Sequence, residues 1–97
     1  MYQAKFYKTI DKERIAEEVR KEGFDPVYIT DPPGRVYHPH RHAETKLLVF
    51  LRGTMEVKVE DRSYDCKPGD KLIITGNVEH SAVAGPEGCV FFWSEKL

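Results

Sequence analysis

The sequence predicts an all-β domain, a barrel or double-sheet jelly roll, with one α-helix near its N-terminus. Three observations carry this. Turn residues recur every several positions from Asp25 to Gly88, the spacing of short strands that fold back on one another. Thr54-Met55-Glu56-Val57-Lys58-Val59-Glu60 alternates, with Met55, Val57 and Val59 apolar and charges between, the period of a strand with one wet face. Only residues 10–22 show helical periodicity.

In chain order, residues 2–8 alternate loosely (Tyr2, Ala4, Phe6) and predict a short edge strand. Thr9 is placed to cap a helix over 10–22, with acids in its first turn and Gly23 as its stop. Ile15, Ala16 and Val19 make a narrow apolar stripe, while Glu17 and Lys21 pair on the wet side, so this helix should lie on a surface. We read residues 1–97 as one domain: a strand-and-helix appendage over 1–25 and a barrel over 26–97.

Residues 27–30 form the next predicted strand, stopped by Asp31-Pro32-Pro33-Gly34, where prolines remove ladder donors. A run over 35–42 follows, then a short connection, Ala43-Glu44-Thr45. Residues 46–51 are apolar on both faces and should be central. Arg52-Gly53 reads as a turn into the alternating strand 54–60, and Asp61-Arg62 as a hairpin into 63–66. Lys67-Pro68-Gly69-Asp70 turns the chain into 71–74, and an irregular loop over 75–79 delivers His80 to the head of 81–84. Gly85-Pro86-Glu87-Gly88 reads as a hairpin to 89–93, which makes about eight strands from residue 27 onward.

Composition narrows the function classes. A chain of 97 residues has room for one core and buries a modest share of its surface, so a metal, a partner subunit or both should assist it. With a formal net charge of -1 it has no global field to recruit nucleic acid or an anionic membrane, and a small molecule is the expected partner. No apolar run approaches the ~20 residues of a membrane span, and the N-terminus lacks a signal-peptide core; a soluble, cytoplasmic protein is expected. Cys66 and Cys89, without CxxC spacing, read as two reduced, buried thiols, although spacing alone leaves a bridge open.

Chemistry concentrates where three of the four histidines fall within five positions. Extended backbone sends alternate side chains to one face, so His38, His40 and His42 should converge. Pro39 between the first two suggests an edge or bulge that would swing His38 outward. Glu44 would join that face if the strand ran on, but it sits in a segment that reads as a turn. Buried imidazoles need partners, which points to a metal or to a metal-free pocket gripping an anion.

The residues then resemble a known family. Gly34, His40-Arg41-His42, Lys46 and Gly53 fall at the spacings of the first cupin motif, G(X)5HXH(X)3-4E(X)6G, with Lys46 at the glutamate. The second motif, G(X)5-7PXG(X)2H(X)3N, is matched more loosely, with Thr75 at its proline, Asn77 at its glycine, His80 at its histidine and Ala84 at its asparagine. The chain therefore resembles a small single-domain cupin over about residues 26–93. The resemblance implies a cupin-type jelly-roll β-barrel whose interior binds a divalent transition metal (Zn, Ni, Fe, Cu or Mn) through His40, His42 and His80. Lys46 breaks the pattern, because an ammonium repels a cation that a carboxylate would hold. Lower metal affinity is expected, with Glu44 or His38 as compensating ligands.

Three functional readings stay open: a barrel that binds a metal, a small anionic ligand, or both; a metal-dependent dioxygenase, isomerase or decarboxylase; and a metal-free binding or sensing module. Lys46, as carboxylate anchor or proton donor, and Glu44 are the catalytic candidates. Val90, Phe91, Phe92 and Trp93, with Tyr2, Phe6 and Tyr7, exceed what a small interior needs and predict a homodimer.

Overall fold

A computed structural model describes all 97 residues. The elements are β1 (Tyr2–Gln3), α1 (Lys12–Lys21), β2 (Phe24–Asp31), β3 (Val36–His40), β4 (Lys46–Val59), β5 (Arg62–Cys66), β6 (Lys71–Ile74) and β7 (His80–Lys96). All strand pairs are antiparallel and join in one seven-stranded sheet of order β1-β6-β4-β7-β2, with β3 on β7 and β5 on β4. It is a jelly roll, not closed by hydrogen bonds, since β2 and β3 pair only with β7 and β5 only with β4.

Two turns expected from sequence are bends inside long strands. β4 and β7 face each other along nearly their whole length: Lys46–Gly53 lies against Cys89–Glu95, and Met55–Val59 against His80–Ala84. The Arg52-Gly53 and Gly85-Pro86-Glu87-Gly88 signals meet across this ladder, so both strands bend at one place and pairing resumes beyond it. Gly53 (φ 74°) permits the bend, because a Cβ there would lie 2.1 Å from the Gly88 carbonyl oxygen. The eight strands expected from residue 27 onward thus become six, and the edge strand β1 makes seven.

The N-terminal elements are shorter than expected. Only Tyr2–Gln3 pairs, against Leu72 and Lys71. Asp11, not Thr9, caps the helix, its carboxylate accepting from the Arg14 amide at 3.2 Å. Gly23 (φ 90°) ends the helix, its amide donating to Arg20.

The sheet has an apolar layer on each face. Leu48, Phe50, Met55, Val57, Leu72, Ile74 and Phe91 fill the inner one. Leu47, Val49, Leu51, Val90 and Phe92 form the outer one, covered by Ile15, Ala16 and Val19 of α1. This is why residues 47–51 are apolar at consecutive positions. Full burial of Ile15 or Val19 is worth about 1.5–3 kcal/mol each. Val90, Phe91 and Phe92 are buried within the single chain, so these apolar residues serve its own core. Cys66 and Cys89 are buried and free, and burial pushes the Cys89 thiol up to about 12.

Candidate metal centre

One end of the inner layer opens as a cavity of about 300 Å³. Ile29, Leu48, Met55, Ile74, Phe91 and Trp93 are among its apolar walls, and His40, His42, His80 and Tyr37 supply its polar groups. Ligand nitrogens of His40, His42 and His80 all lie within 4.8 Å of one another.

Each histidine is placed by a different backbone device. His40 and His80 are cross-strand partners on β3 and β7, with ring centroids 4.3 Å apart. The β3–β7 register slips between Tyr37 and His40, so Tyr37, three residues earlier, also faces the cavity. Simple alternation would have put His38 there. Its side chain is instead exposed, and its carbonyl oxygen accepts the Nδ1 hydrogen bond of His40. His42 lies beyond the strand, in a loop held by contacts with the loop before His80. The Asn77 amide donates to the His42 carbonyl at 2.6 Å, and the Gly76 amide to Thr45 Oγ1 at 3.1 Å. Asn77 (φ 65°) takes the left-handed conformation that a motif glycine would. Gly76 is required by proximity, since a Cβ would lie 2.3 Å from the Ala43 carbonyl oxygen.

The donor set suits a cation. His80 donates Nδ1–H to the Val78 carbonyl at 3.0 Å, which leaves Nε2 as a bare acceptor. That Nε2 is buried and has no hydrogen-bond partner. The His80 imidazole is held below its ordinary pKa, chiefly by burial and further by the positive potential of His40, His42 and Lys46. His42 is lowered for the same leading reason. Three imidazoles whose ligand nitrogens cluster this closely, with His42 and His80 held toward the neutral form, are what a divalent transition metal needs, so the residues fit the ion.

Lys46 shares the inner face of β4 with Leu48, and its side chain is only 2% exposed. Its Nζ lies 2.7 Å from Glu95 Oε1, directly across the β4–β7 ladder, and 3.6 Å from Glu44 Oε1. The ammonium holds the Glu95 carboxyl below its usual range, first through the hydrogen bond. Glu44 is exposed in the turn after His42 and contributes charge to Lys46. Sequence reasoning missed Glu95 and the cavity role of Tyr37 and Trp93. Alternation along Phe91-Phe92-Trp93-Ser94-Glu95 was the available signal, but the partner strand was not legible. Tyr37 also donates its hydroxyl to buried Asp31 at 2.8 Å, and burial followed by this bond pushes its pKa up to about 12.

A family model described as a cupin domain matches residues 27–95. Over 59 residues the chain is 37% identical to dimethylsulfoniopropionate lyase DddW of Ruegeria pomeroyi, a match over 61% of this chain and 39% of that protein. Its fold is similar to KdgF from Halomonas sp. (25% identity, TM-score 0.67, covering 77% of this chain and 71% of that one). It is also similar to an RmlC-like cupin from Shewanella frigidimarina (22% identity, TM-score 0.70, covering 76% and 66%). The chain thus spans well under half the length of its lyase relative.

Proposed function

The chain belongs to the cupin-domain family, and on that premise we propose that it binds a divalent transition metal through His40, His42 and His80 and a small ligand in the adjoining cavity. The observation that carries this reading is the buried, unpartnered Nε2 of His80 beside two further imidazoles. Leaving such an acceptor unsatisfied costs about 1–3 kcal/mol, which a bound cation offsets. When present, the metal supplies a Lewis acid that polarises a ligand oxygen. The chain's own residues do the rest: Val78 and His38 carbonyls fix ring orientation, and the apolar walls exclude water. Elemental analysis of untagged protein, then zinc, nickel and iron(II) titrations of wild type and His40→Ala, test it. Stoichiometric metal lost in the variant is expected; a wild type that binds none refutes the reading.

The likeness to a lyase favours a second reading, metal-dependent turnover of a small substrate. Loss of dimethylsulfoniopropionate in the presence of metal-loaded protein, abolished by His40→Ala, would support it. Unchanged substrate would leave the binding reading alone. We also propose a homodimer in solution, supported by Val36 and Val83, exposed cross-strand neighbours on β3 and β7. Light scattering tests it.

A further inference from the structure

Lys46 is costly where it stands. An ammonium with 2% exposure needs compensation, and one charge-assisted hydrogen bond, to Glu95 at 2.7 Å, supplies it. Glu44, at 3.6 Å, adds charge but lies beyond hydrogen-bond reach. An ammonium has three donors, so this one keeps N–H groups unspent. Both carboxylates are more than half exposed, at 58% for Glu95 and 62% for Glu44. Nζ also lies 5.6 Å from the centre of the Trp93 ring, a wall of the cavity.

The cavity's chemistry is equally lopsided. Apart from Tyr37, its polar groups are the three imidazoles, and aliphatic and aromatic side chains line the remainder. Such a space fits a small molecule with an apolar body and one polar end. The charges near that end limit what the polar group can be. A divalent cation on neutral imidazoles, with Lys46, Glu44 and Glu95, leaves one net positive charge. A monoanion cancels it, and a dianion overshoots against the flanking carboxylates.

We propose that the cavity selects a small monocarboxylate with an apolar body, Lys46 donating its unspent hydrogens to the carboxylate while Glu95 holds the ammonium in place. This rests on the small-ligand reading above and names its substrate class. Lys46 is then a specificity-determining residue and Glu95 a positioning residue. It also gives the departure from the motif a use: the position that would hold the metal holds the ligand instead.

Trp93 is the only tryptophan and borders the cavity, so its emission reports occupancy. We would titrate the full chain, metal-free and zinc-loaded, with butyrate, its neutral counterpart butyramide, and dianionic succinate. Butyrate should bind at least tenfold tighter than either. Lys46→Met should cut the preference over butyramide at least fivefold; Glu95, largely exposed, rehydrates in that variant, so the fold survives. Glu95→Gln should shift selectivity toward succinate at least threefold, whereas loss of a purely structural contact would weaken both anions alike. Equal binding of butyrate and butyramide by wild type, or full preference retained in Lys46→Met, overturns the proposal. Zinc held without any butyrate response overturns it and leaves the metal reading standing. A butyrate preference undiminished in protein that holds no zinc refutes the metal reading and overturns the charge balance on which the proposal rests.

Discussion

His80 is tied to Val78 through a single 3.0 Å hydrogen bond from Nδ1, and this bond decides the chemistry of the opposite ring nitrogen. With Nδ1 carrying the proton, Nε2 presents a lone pair into a buried space without a partner. The ring is therefore held with that lone pair aimed into the cavity, the orientation that a metal ligand requires.

Removing that ring should separate metal binding from folding. In His80→Ala we expect zinc affinity to fall at least 100-fold. The rise in thermal midpoint on adding zinc to wild type should vanish. Scanning fluorimetry with and without metal makes the comparison; an undiminished zinc-induced shift would place the ion elsewhere.

Acid should weaken the apo protein through His42 and His80. Folding lowers both pKa values, chiefly by burial, from an unfolded value near 6.5. Below that pH the unfolded chain binds more protons than the folded one, so stability present above pH ~6.5 is lost as pH falls through the folded pKa values. Urea midpoints at pH 7.5 and 5.5 should differ in that direction, and mutation of both histidines to alanine should reduce the difference.

Restoring a carboxylate at position 46 should have opposite effects with and without metal. Lys46→Glu places a third acid beside Glu95 and Glu44, so repulsion destabilises the apo protein. A cation relieves it, and we expect zinc affinity to rise at least tenfold. Calorimetric titration gives the answer; equal or weaker affinity would mean Lys46 is not what limits the site.

Gly76→Ala should damage the site from outside it. The new Cβ would meet the Ala43 carbonyl and force apart the two loops that bring His42 to His80. Overpacking of this kind costs on the order of 1–3 kcal/mol. Chemical denaturation should show that loss, and metal affinity should drop with it.

The strand-rich architecture, the helix and the group His40, His42 and His80 were legible in the chain, because side-chain periodicity and turn chemistry are local properties that survive into the fold. Its turn signals at Arg52-Gly53 and residues 85–88 were real as bends, but only pairing across β4 and β7 decided that both strands would continue. Alternation placed His38 beside His40, and a one-residue slip against β7 put Tyr37 there instead. Lys46 read as an unpaired positive charge at a cation site. Its partner Glu95 lies 49 positions away and becomes a neighbour only through the β4–β7 ladder. Periodicity fixes which face a side chain takes within its own strand, while register between distant strands fixes what it meets, and register is a property of the whole sheet.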